Sequence, residues 1–404
     1  MDWLHIVAVI ALVIIGVVMY VNKRKTMMVA WLTIATAAWG NDGVLYVNGN
    51  HLVPIQETDI ALTKEVLTIT LCDDGYASVD VQYLLTNNGK EKTVTMGFEA
   101  EAPYNDYDVK FSKQGIHPHI HDFTVVMNGE RLSYTNAVVA SRFDVDCDFQ
   151  PLDLKQWKPE GEVKMRNGED LPNNSMLYDI KRDSLVEFAY AYYFKAHFKP
   201  GQNTIHHTYR YLMSYGVGRT FEVPYWLKPA MRWANHQIDD FTLRIKATNT
   251  AKHFFVEDSL FTQSKFVVTE GKGKIRKKQL YEDSFTEIAL RNGTVEYHAT
   301  NFKPVGNMLI ESAERMHYDD FKLGTFYDRS DRYLPGSFQI EMNHSASQRR
   351  ILKNLPYANR GYVFKDKKLQ KYFSQFFWYM PDPSWQASTA DFTPREWKLI
   401  NEGE

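Results

Sequence analysis

Three histidines separated by single residues are the sharpest candidate for chemistry in this chain. His117, His119 and His121 alternate with Pro118 and Ile120. Residues two apart in an extended strand point to one face, so three imidazoles in this pattern could bind Zn²⁺ or Cu²⁺. Pro118 favours a strand edge or a solvent-exposed loop, which is the competing interpretation.

Motifs of the common enzyme classes are absent from the sequence. Gly216-Val217-Gly218 lacks the third glycine of a dinucleotide-binding turn, and no lysine follows it as in a phosphate-binding loop. Neither G-x-S-x-G nor H-E-x-x-H occurs. We therefore expect a non-catalytic protein without a cofactor. A metal-dependent hydrolase that uses the three histidines is the alternative.

The charge balance argues against a nucleic-acid partner. The formal net charge is −2, so the chain has no global positive field. One local basic run, KGKIRKK at residues 272–278, follows Gly271 and contains Gly273. This pattern predicts a solvated hairpin tip.

The two cysteines, Cys72 and Cys147, both follow a segment with the features of an export signal. An oxidising compartment would allow a disulfide between them to persist. Two buried free thiols are the alternative, because the sequence does not fix the separation of the two residues.

The amino terminus contains two apolar segments. Residues 3–21 are uncharged and about long enough to span a bilayer, and the basic stretch 22–25 follows them. A shorter apolar run, 27–39, ends with small residues at positions 38 and 40, before Asn41. A basic start, a short apolar run and small residues before a cut are typical of a secretory signal peptide.

The apolar segment ahead of this signal has two explanations. Either the natural start is Met19, or residues 1–40 include a membrane anchor. Both predict an exported protein of the periplasm or the cell surface, whose only membrane contact is this amino-terminal segment.

The region from 41 to 311 has the pattern of short antiparallel strands. Apolar residues alternate with polar ones on both sides of the turns Asp74-Gly75, Asn88-Gly89, Asn128-Gly129 and Pro200-Gly201. The alternation is clearest at residues 67–72, 78–85, 94–98, 123–127, 188–198, 205–211, 241–245 and 295–297. We predict a mainly β fold, an antiparallel β-sandwich region of one or two subdomains.

The pattern changes to helical after a charged stretch. Residues 312–342 have no clear periodicity and are interpreted as a linker; residues 343–404 have the spacing of three short helices. Ser345 and Gln348 have capping-box spacing, Pro356 is expected to disturb the first helix, and Gly361 is expected to end it. Apolar residues from 369 to 377 predict a second helix, and Thr393-Pro394-Arg395-Glu396 predicts the start of a third.

Residues 349–385 resemble the YARHG domain, a small module of presumed extracellular bacterial proteins. The motif itself reads Tyr357-Ala358-Asn359-Arg360-Gly361, with Asn359 where the family usually has Arg and Arg360 where it has His. Stretches around residues 41–69, 86–98 and 198–211 resemble an uncharacterised extracellular β-domain often found upstream of this module.

The resemblance implies an envelope-binding role and no known activity. Five residues are candidates for a cationic and aromatic surface that contacts a glycan or a peptide: Tyr357, Arg360, Tyr362, Trp378 and Tyr379. The competing interpretation is that the aromatics form the core of a small domain. We expect a module for cell wall, glycan or an envelope protein partner, with a structural assembly subunit as a further alternative.

Overall fold

The structure is a computed structural model of the 404-residue chain. It describes residues 53–54, 59–103, 111–140, 151–155, 157–159, 176–179, 184–216, 219–280, 283–312 and 346–402. The predicted signal or anchor at 1–40 and residues 313–342 of the predicted linker lie outside the described residues. In the described part of the chain, no helix is long and apolar enough to cross a membrane.

The first half of the β region is built from hairpins with glycine-bearing turns. Gly75 and Gly129 both have positive φ, at 89° and 86°, which explains why these predicted turns need glycine. The strands are β1 (Val53–Pro54), β2 (Ile60–Leu71), β3 (Tyr76–Asn87), β4 (Lys92–Glu101), β5 (Ile120–Met127), β6 (Glu130–Arg131), β7 (Thr135–Ala140), β8 (Trp157–Pro159), β9 (Met176–Asp179), β10 (Ser184–Phe198), β11 (Gly201–Leu212) and β12 (Ser214–Gly216).

The second half extends the same sheet. Its strands are β13 (Arg219–Tyr225), β14 (Ile238–Ala247), β15 (Lys252–Glu257), β16 (Val267–Leu280), β17 (Asp283–Phe302) and β18 (Met308–Ser312). β17 is 20 residues long and pairs with β14 and then β15 along one side and with β16 along the other. β16 is therefore an edge strand among the described elements.

Two sheets of described strands pack face to face, as the alternating pattern predicts. The larger sheet has the order β12-β13-β18-β15-β17-β14-β2-β3-β11-β5-β6, with β16 on β17; the smaller has the order β1-β4-β10-β9-β8, with β7 on β10. Phe98 of β4 lies 4.8 Å from Tyr209 of β11, between ring centroids, and Tyr192 of β10 lies 4.9 Å from Phe123 of β5. The predicted mainly β fold with a small helical carboxyl-terminal domain is confirmed.

One strand pair departs from the antiparallel pattern, and one local expectation about the β region is wrong. β14 pairs with β2 in parallel, across a long crossover connection, so the larger sheet is mixed. The basic run at 272–278 is not a hairpin tip but the middle of β16, where cations alternate with Gly273 and Ile275 and so give no clear strand pattern. Gly271, with φ of 66°, marks an irregularity in the pairing of this strand rather than a turn.

The carboxyl-terminal module consists of three helices, α1 (Ala346–Asn359), α2 (Lys367–Phe373) and α3 (Pro394–Glu402). Gly361 has φ of 85° directly after α1, as expected of a glycine that ends a helix. Pro356 lies inside α1 and does not end it, and α2 stops at Phe373, before the predicted Phe376 and Phe377. The predicted cap of α3 is confirmed: the Glu396 N–H donates to Thr393 Oγ1 and the Thr393 N–H donates to Glu396 Oε2.

Candidate functional site

The end of α1 and the loop after it form the centre of the module. Arg360 is 5% exposed, and its guanidinium donates to both carboxylate oxygens of Glu396, at 2.6 and 2.9 Å. It also donates to the carbonyl oxygens of Pro356, at 3.1 Å, and Asp391, at 2.5 Å. Because Glu396 simultaneously caps α3, this buried ion pair joins the first and third helices.

A set of partly exposed aromatic rings surrounds Phe392. Tyr357 and Trp385 lie 4.9 and 6.5 Å from the Phe392 ring, and Trp397 lies 5.3 Å from it. Tyr362 extends the group, at 6.0 Å from Tyr357 and 6.3 Å from Trp385. We call these half-buried rings, Tyr357, Tyr362, Trp385 and Trp397, the aromatic surface.

The Arg360 guanidinium packs against the ring at the centre of the aromatic surface. Phe392 is 8% exposed, and the Arg360 guanidinium lies 4.7 Å above its ring centroid. The ion pair of Arg360 with Glu396 thus positions the ring on which Tyr357, Trp385 and Trp397 rest. Such support keeps the rings in one orientation.

Trp378 and Tyr379, two of the predicted binding residues, lie in the interior of the module. Each is 1% exposed, and both belong to a cluster with Leu352, Leu355 and Phe373. The Tyr379 hydroxyl donates to the Tyr362 carbonyl oxygen at 2.6 Å. Of the five predicted residues, only Tyr357 and Tyr362 present substantial surface, and ligand contact by any of the five stays a prediction.

The YARHG motif also contacts the larger sheet through its backbone. The Ala251 N–H, just before β15, donates to the Asn359 carbonyl oxygen at 3.1 Å. Arg291 of β17 donates to the Arg360 carbonyl oxygen at 2.5 Å, to the Met380 carbonyl oxygen at 3.3 Å and to Asp382 at 3.2 Å. The Arg291 side chain is 3% exposed, so the module encloses it.

Gly361 is required for this contact. A Cβ atom at Gly361 would lie 2.5 Å from the Met380 carbonyl oxygen and 2.7 Å from Nη2 of Arg291. We call the contact of the motif with Ala251 and Arg291 the joint. Ala251 and Ala289 of the β region share one apolar cluster with the module, and all described residues belong to one compact unit.

A buried charged group lies beside the joint. His253 Nε2 donates to Glu287 at 2.8 Å, and both side chains are 1% exposed. Arg276 also donates to both oxygens of Glu287, and its guanidinium lies 4.3 Å from the Phe377 ring centroid. The centroid of the Phe377 ring, which follows α2, lies 5.4 Å from that of the His253 ring, so this buried group also contacts the module.

Burial and hydrogen bonding oppose one another in this group. Burial would raise the pKa of Glu287, but the hydrogen bonds from His253 and Arg276 outweigh it and lower the pKa from 4.5 to about 2. Burial lowers the pKa of His253 below its usual value of 6.5, although the hydrogen bond to Glu287 acts to raise it. At neutral pH the group therefore consists of an ionised Glu287, a charged Arg276 and a neutral His253.

The three predicted metal-binding histidines are not arranged on one strand face, because β5 begins only at Ile120. His117 is 1% exposed; its Nε2–H donates to the Glu101 carbonyl oxygen at 2.9 Å, and Nδ1 accepts from the His119 N–H at 3.0 Å. Burial lowers the pKa of His117 to about 3. His119 lies 6.1 Å from His117 between ring centroids, whereas the exposed His121 packs against Tyr76 at 5.6 Å.

Within the described ranges, no three His, Cys, Asp or Glu residues are grouped closely enough to hold a metal ion. Both ring nitrogens of His117 are already used in hydrogen bonds, so it could ligate only after these bonds break. Cys72 lies after β2, and burial raises the pKa of its thiol. Cys147 lies outside the described residues, so the disulfide between Cys72 and Cys147 stays a prediction.

Sequence reasoning missed Arg291 and the pairing role of Glu396. Glu396 had a detectable signal in the capping pattern of α3, but its bond to Arg360 joins residues 36 positions apart. Arg291 had no signal, because its partners, the carbonyl oxygens of residues 360 and 380 and the Asp382 carboxylate, lie 69 to 91 positions away in the chain.

Two family models match the chain. Residues 340–402 match the YARHG domain, and residues 40–224 match a domain of unknown function, DUF4424. The chain therefore carries a YARHG domain preceded by a DUF4424 domain, which confirms the predicted resemblance. No curated protein matches the chain.

Several solved structures are similar to parts or most of the chain. A proposed nutrient-binding protein of Legionella pneumophila has 18% identity over 90% of this chain and 100% of its own, with a TM-score of 0.45. An M1 zinc metallopeptidase of Deinococcus radiodurans has 8% identity over 64% of this chain and 43% of its own, with a TM-score of 0.24. Baculovirus P35 has 11% identity over 64% of this chain and 98% of its own, with a TM-score of 0.20.

Proposed function

We propose that this chain, with its YARHG domain behind a DUF4424 domain, is an exported, non-catalytic binding protein of the bacterial cell envelope. In this proposal the aromatic surface of the module holds the glycan of the cell wall. The observation that carries the proposal is the continuous group of half-exposed rings, Tyr357, Tyr362, Trp385 and Trp397, around one buried phenylalanine.

The chemistry of these rings suits a sugar. Tyrosine and tryptophan offer flat apolar faces to the C–H faces of a sugar ring, and each carries a polar atom at its edge for a hydroxyl group. Exposed Ser384 and Gln386 flank Trp385 and can add hydrogen bonds. Trp378, Tyr379 and Phe373 already fill the interior of the module, so packing of the core does not explain the half-exposed rings.

The joint supports a binding role for the module as part of the whole chain. Arg291, Lys272 and Lys274 all contact the module, through Asp382 and the carbonyl oxygens of residues 360, 379 and 380. A module that is fixed in this way holds its ligand in a defined orientation to the β region. Export rests on the amino-terminal pattern of the sequence.

The test is sedimentation of the predicted mature chain, 41–404, with insoluble peptidoglycan. Removing the module would expose Arg291, so point variants are better than a truncation. We expect the wild-type chain to pellet and Tyr362→Ala with Trp385→Ala to reduce the affinity about tenfold or more, at about 1 kcal/mol for each lost ring contact.

Tyr134→Ala is the matched control, because Tyr134 is 39% exposed on the β region, outside the module. We expect this variant to pellet like the wild type. A wild-type chain that stays in solution, or equal losses in the control and in the double variant, would contradict the proposal.

A further inference from the structure

Four basic side chains form a row on one face of β16. Lys272, Lys274, Arg276 and Lys278 are two residues apart, so they point to the same side of the strand. This is the side on which the module lies, because Lys274 Nζ donates to the Tyr379 carbonyl oxygen at 2.8 Å. We call these four residues the cationic row.

The carboxylates in contact with the row do not balance its charge. Lys272 pairs with Asp382 at 3.1 Å, and Arg276 pairs with Glu287. Asp382 is also shared with Arg291. Lys274 contacts a neutral carbonyl oxygen and the Phe377 ring, at 5.9 Å from its centroid, so it adds a cation without a carboxylate partner in these contacts.

Neighbouring cations of the row lie close enough to affect one another. The pKa of Lys274 is lowered by burial and then by the charge of Arg276.

The row remains accessible beside the docked module. The side chains of Lys272 and Arg276 are 43% and 48% exposed, and Lys274 is also exposed. Four residues spaced by two along a strand extend over roughly 20 Å. A line of this length fits a linear polyanion better than a compact anion, which would meet only one or two of the cations.

We propose that the cationic row of β16 is a second binding surface, and that its partner is a linear acidic polysaccharide. This goes beyond the contact with sugar rings assigned to the aromatic surface and uses different residues. A polysaccharide is favoured over nucleic acid, because the whole chain has a net charge of −2 and carries an export pattern.

Binding of heparin and of alginate to the full predicted mature chain tests this inference, with neutral dextran as a third probe. We expect both acidic polymers to bind, dextran not to bind, and the affinity to fall steeply with added salt. Lys274→Ala with Lys278→Ala should weaken heparin binding about tenfold or more at low salt, through the loss of two cationic contacts.

The control is Lys90→Ala with Lys199→Ala, which removes the same charge from two exposed lysines beside β3 and β10. Equal losses in the two double variants would mean that only net charge matters and would overturn the proposal. Failure of the wild type to bind either acidic polymer, or tighter binding of a DNA oligonucleotide, would also overturn it. Tyr362→Ala should leave heparin binding unchanged. A loss of heparin binding in the lysine variant can therefore be distinguished from a loss of glycan binding at the aromatic surface.

Discussion

The guanidinium of Arg360 is enclosed by groups of its own module, and its role follows from that environment. It bonds Glu396 and two carbonyl oxygens and lies over Phe392. An Arg at this position can therefore support the aromatic surface without touching a ligand.

Arg360→Ala is expected to destabilise the chain by about 3–5 kcal/mol, because it leaves the Glu396 carboxylate buried without its partner. Arg350→Ala should cost at most about 1 kcal/mol, since Arg350 and Asp366 form an exposed pair. Urea denaturation of the two variants measures both values. Equal losses would contradict the structural role of Arg360.

Gly361→Ala tests whether the backbone of the motif must contact the β region. The added Cβ would clash with the Met380 carbonyl oxygen and with Arg291, and alanine would also have to adopt the positive φ of Gly361. Gly129→Ala is a matched control with φ of 86° and no atom near its added Cβ. We expect about 1 kcal/mol for the control and at least about 2 kcal/mol more for Gly361→Ala, measured by denaturation.

The group of His253, Glu287 and Arg276 predicts a loss of stability in acid. His253 has a folded-state pKa below 6.5, so its contribution is present above pH 6.5 and is lost as the pH falls below that value. Glu287 has a folded-state pKa of about 2 against 4.5, so its contribution is lost between these two values.

Thermal unfolding of wild type and Glu287→Gln between pH 7 and pH 3 measures this effect. The variant should be less stable at pH 7, and its Tm should fall less between pH 4.5 and pH 3 than that of the wild type. Glu91→Gln, in an exposed pair with His197, should follow the wild type. Identical pH profiles for all three would show that Glu287 does not have a lowered pKa.

At the scale of elements, β17 is the strand that connects the sheet to the module. Its Ala289 and Arg291 contact the module, and its neighbours β15 and β16 supply His253, Lys272 and Lys274. The long strand thus carries the joint on one face and pairs within the sheet along both edges.

Arg291→Met should open the joint, because methionine keeps the length of the side chain but removes the donors to Arg360, Met380 and Asp382. We expect the amides of Ala251 and Asp382 to exchange roughly 30-fold faster, equivalent to a loss of about 2 kcal/mol. Arg244→Met, which removes a partly exposed pair with Glu296, is the control. Unchanged exchange in Arg291→Met would mean that Arg291 does not hold the module.

Much of the element structure could be predicted from the sequence, and the failures have physical reasons. Alternation in β2 and β3, the Asn128-Gly129 turn and the cap of α3 are local signals, and all three are present. The parallel pair of β2 and β14 and the joint depend on contacts between residues far apart in the chain. β16 was missed because its alternation is between cations and small or apolar residues, and its two glycines and four lysines resemble a loop.

The candidate site was only partly predictable, because exposure depends on packing. Tyr357, Tyr362, Trp378 and Tyr379 have the same aromatic character in the sequence, yet two are half-exposed and two are buried. The histidine pattern at 117–121 required an extended strand, but β5 begins too late to place all three imidazoles on one face.

Over the whole molecule, the β region and the YARHG module belong to one compact unit, which carries the two surfaces that we propose for envelope polymers. The aromatic surface is on the module, and the cationic row is on the neighbouring edge strand. The joint places the module, and with it the aromatic surface, next to β16.

Hydrogen exchange of the full predicted mature chain, with and without soluble peptidoglycan fragments, measures whether the aromatic surface binds the wall glycan. We expect slower exchange on binding in residues 357–364 and 384–397, around the aromatic surface, and no change at residues 117–121. Protection at 117–121, or no change around the aromatic surface at saturating ligand, would contradict binding at the aromatic surface.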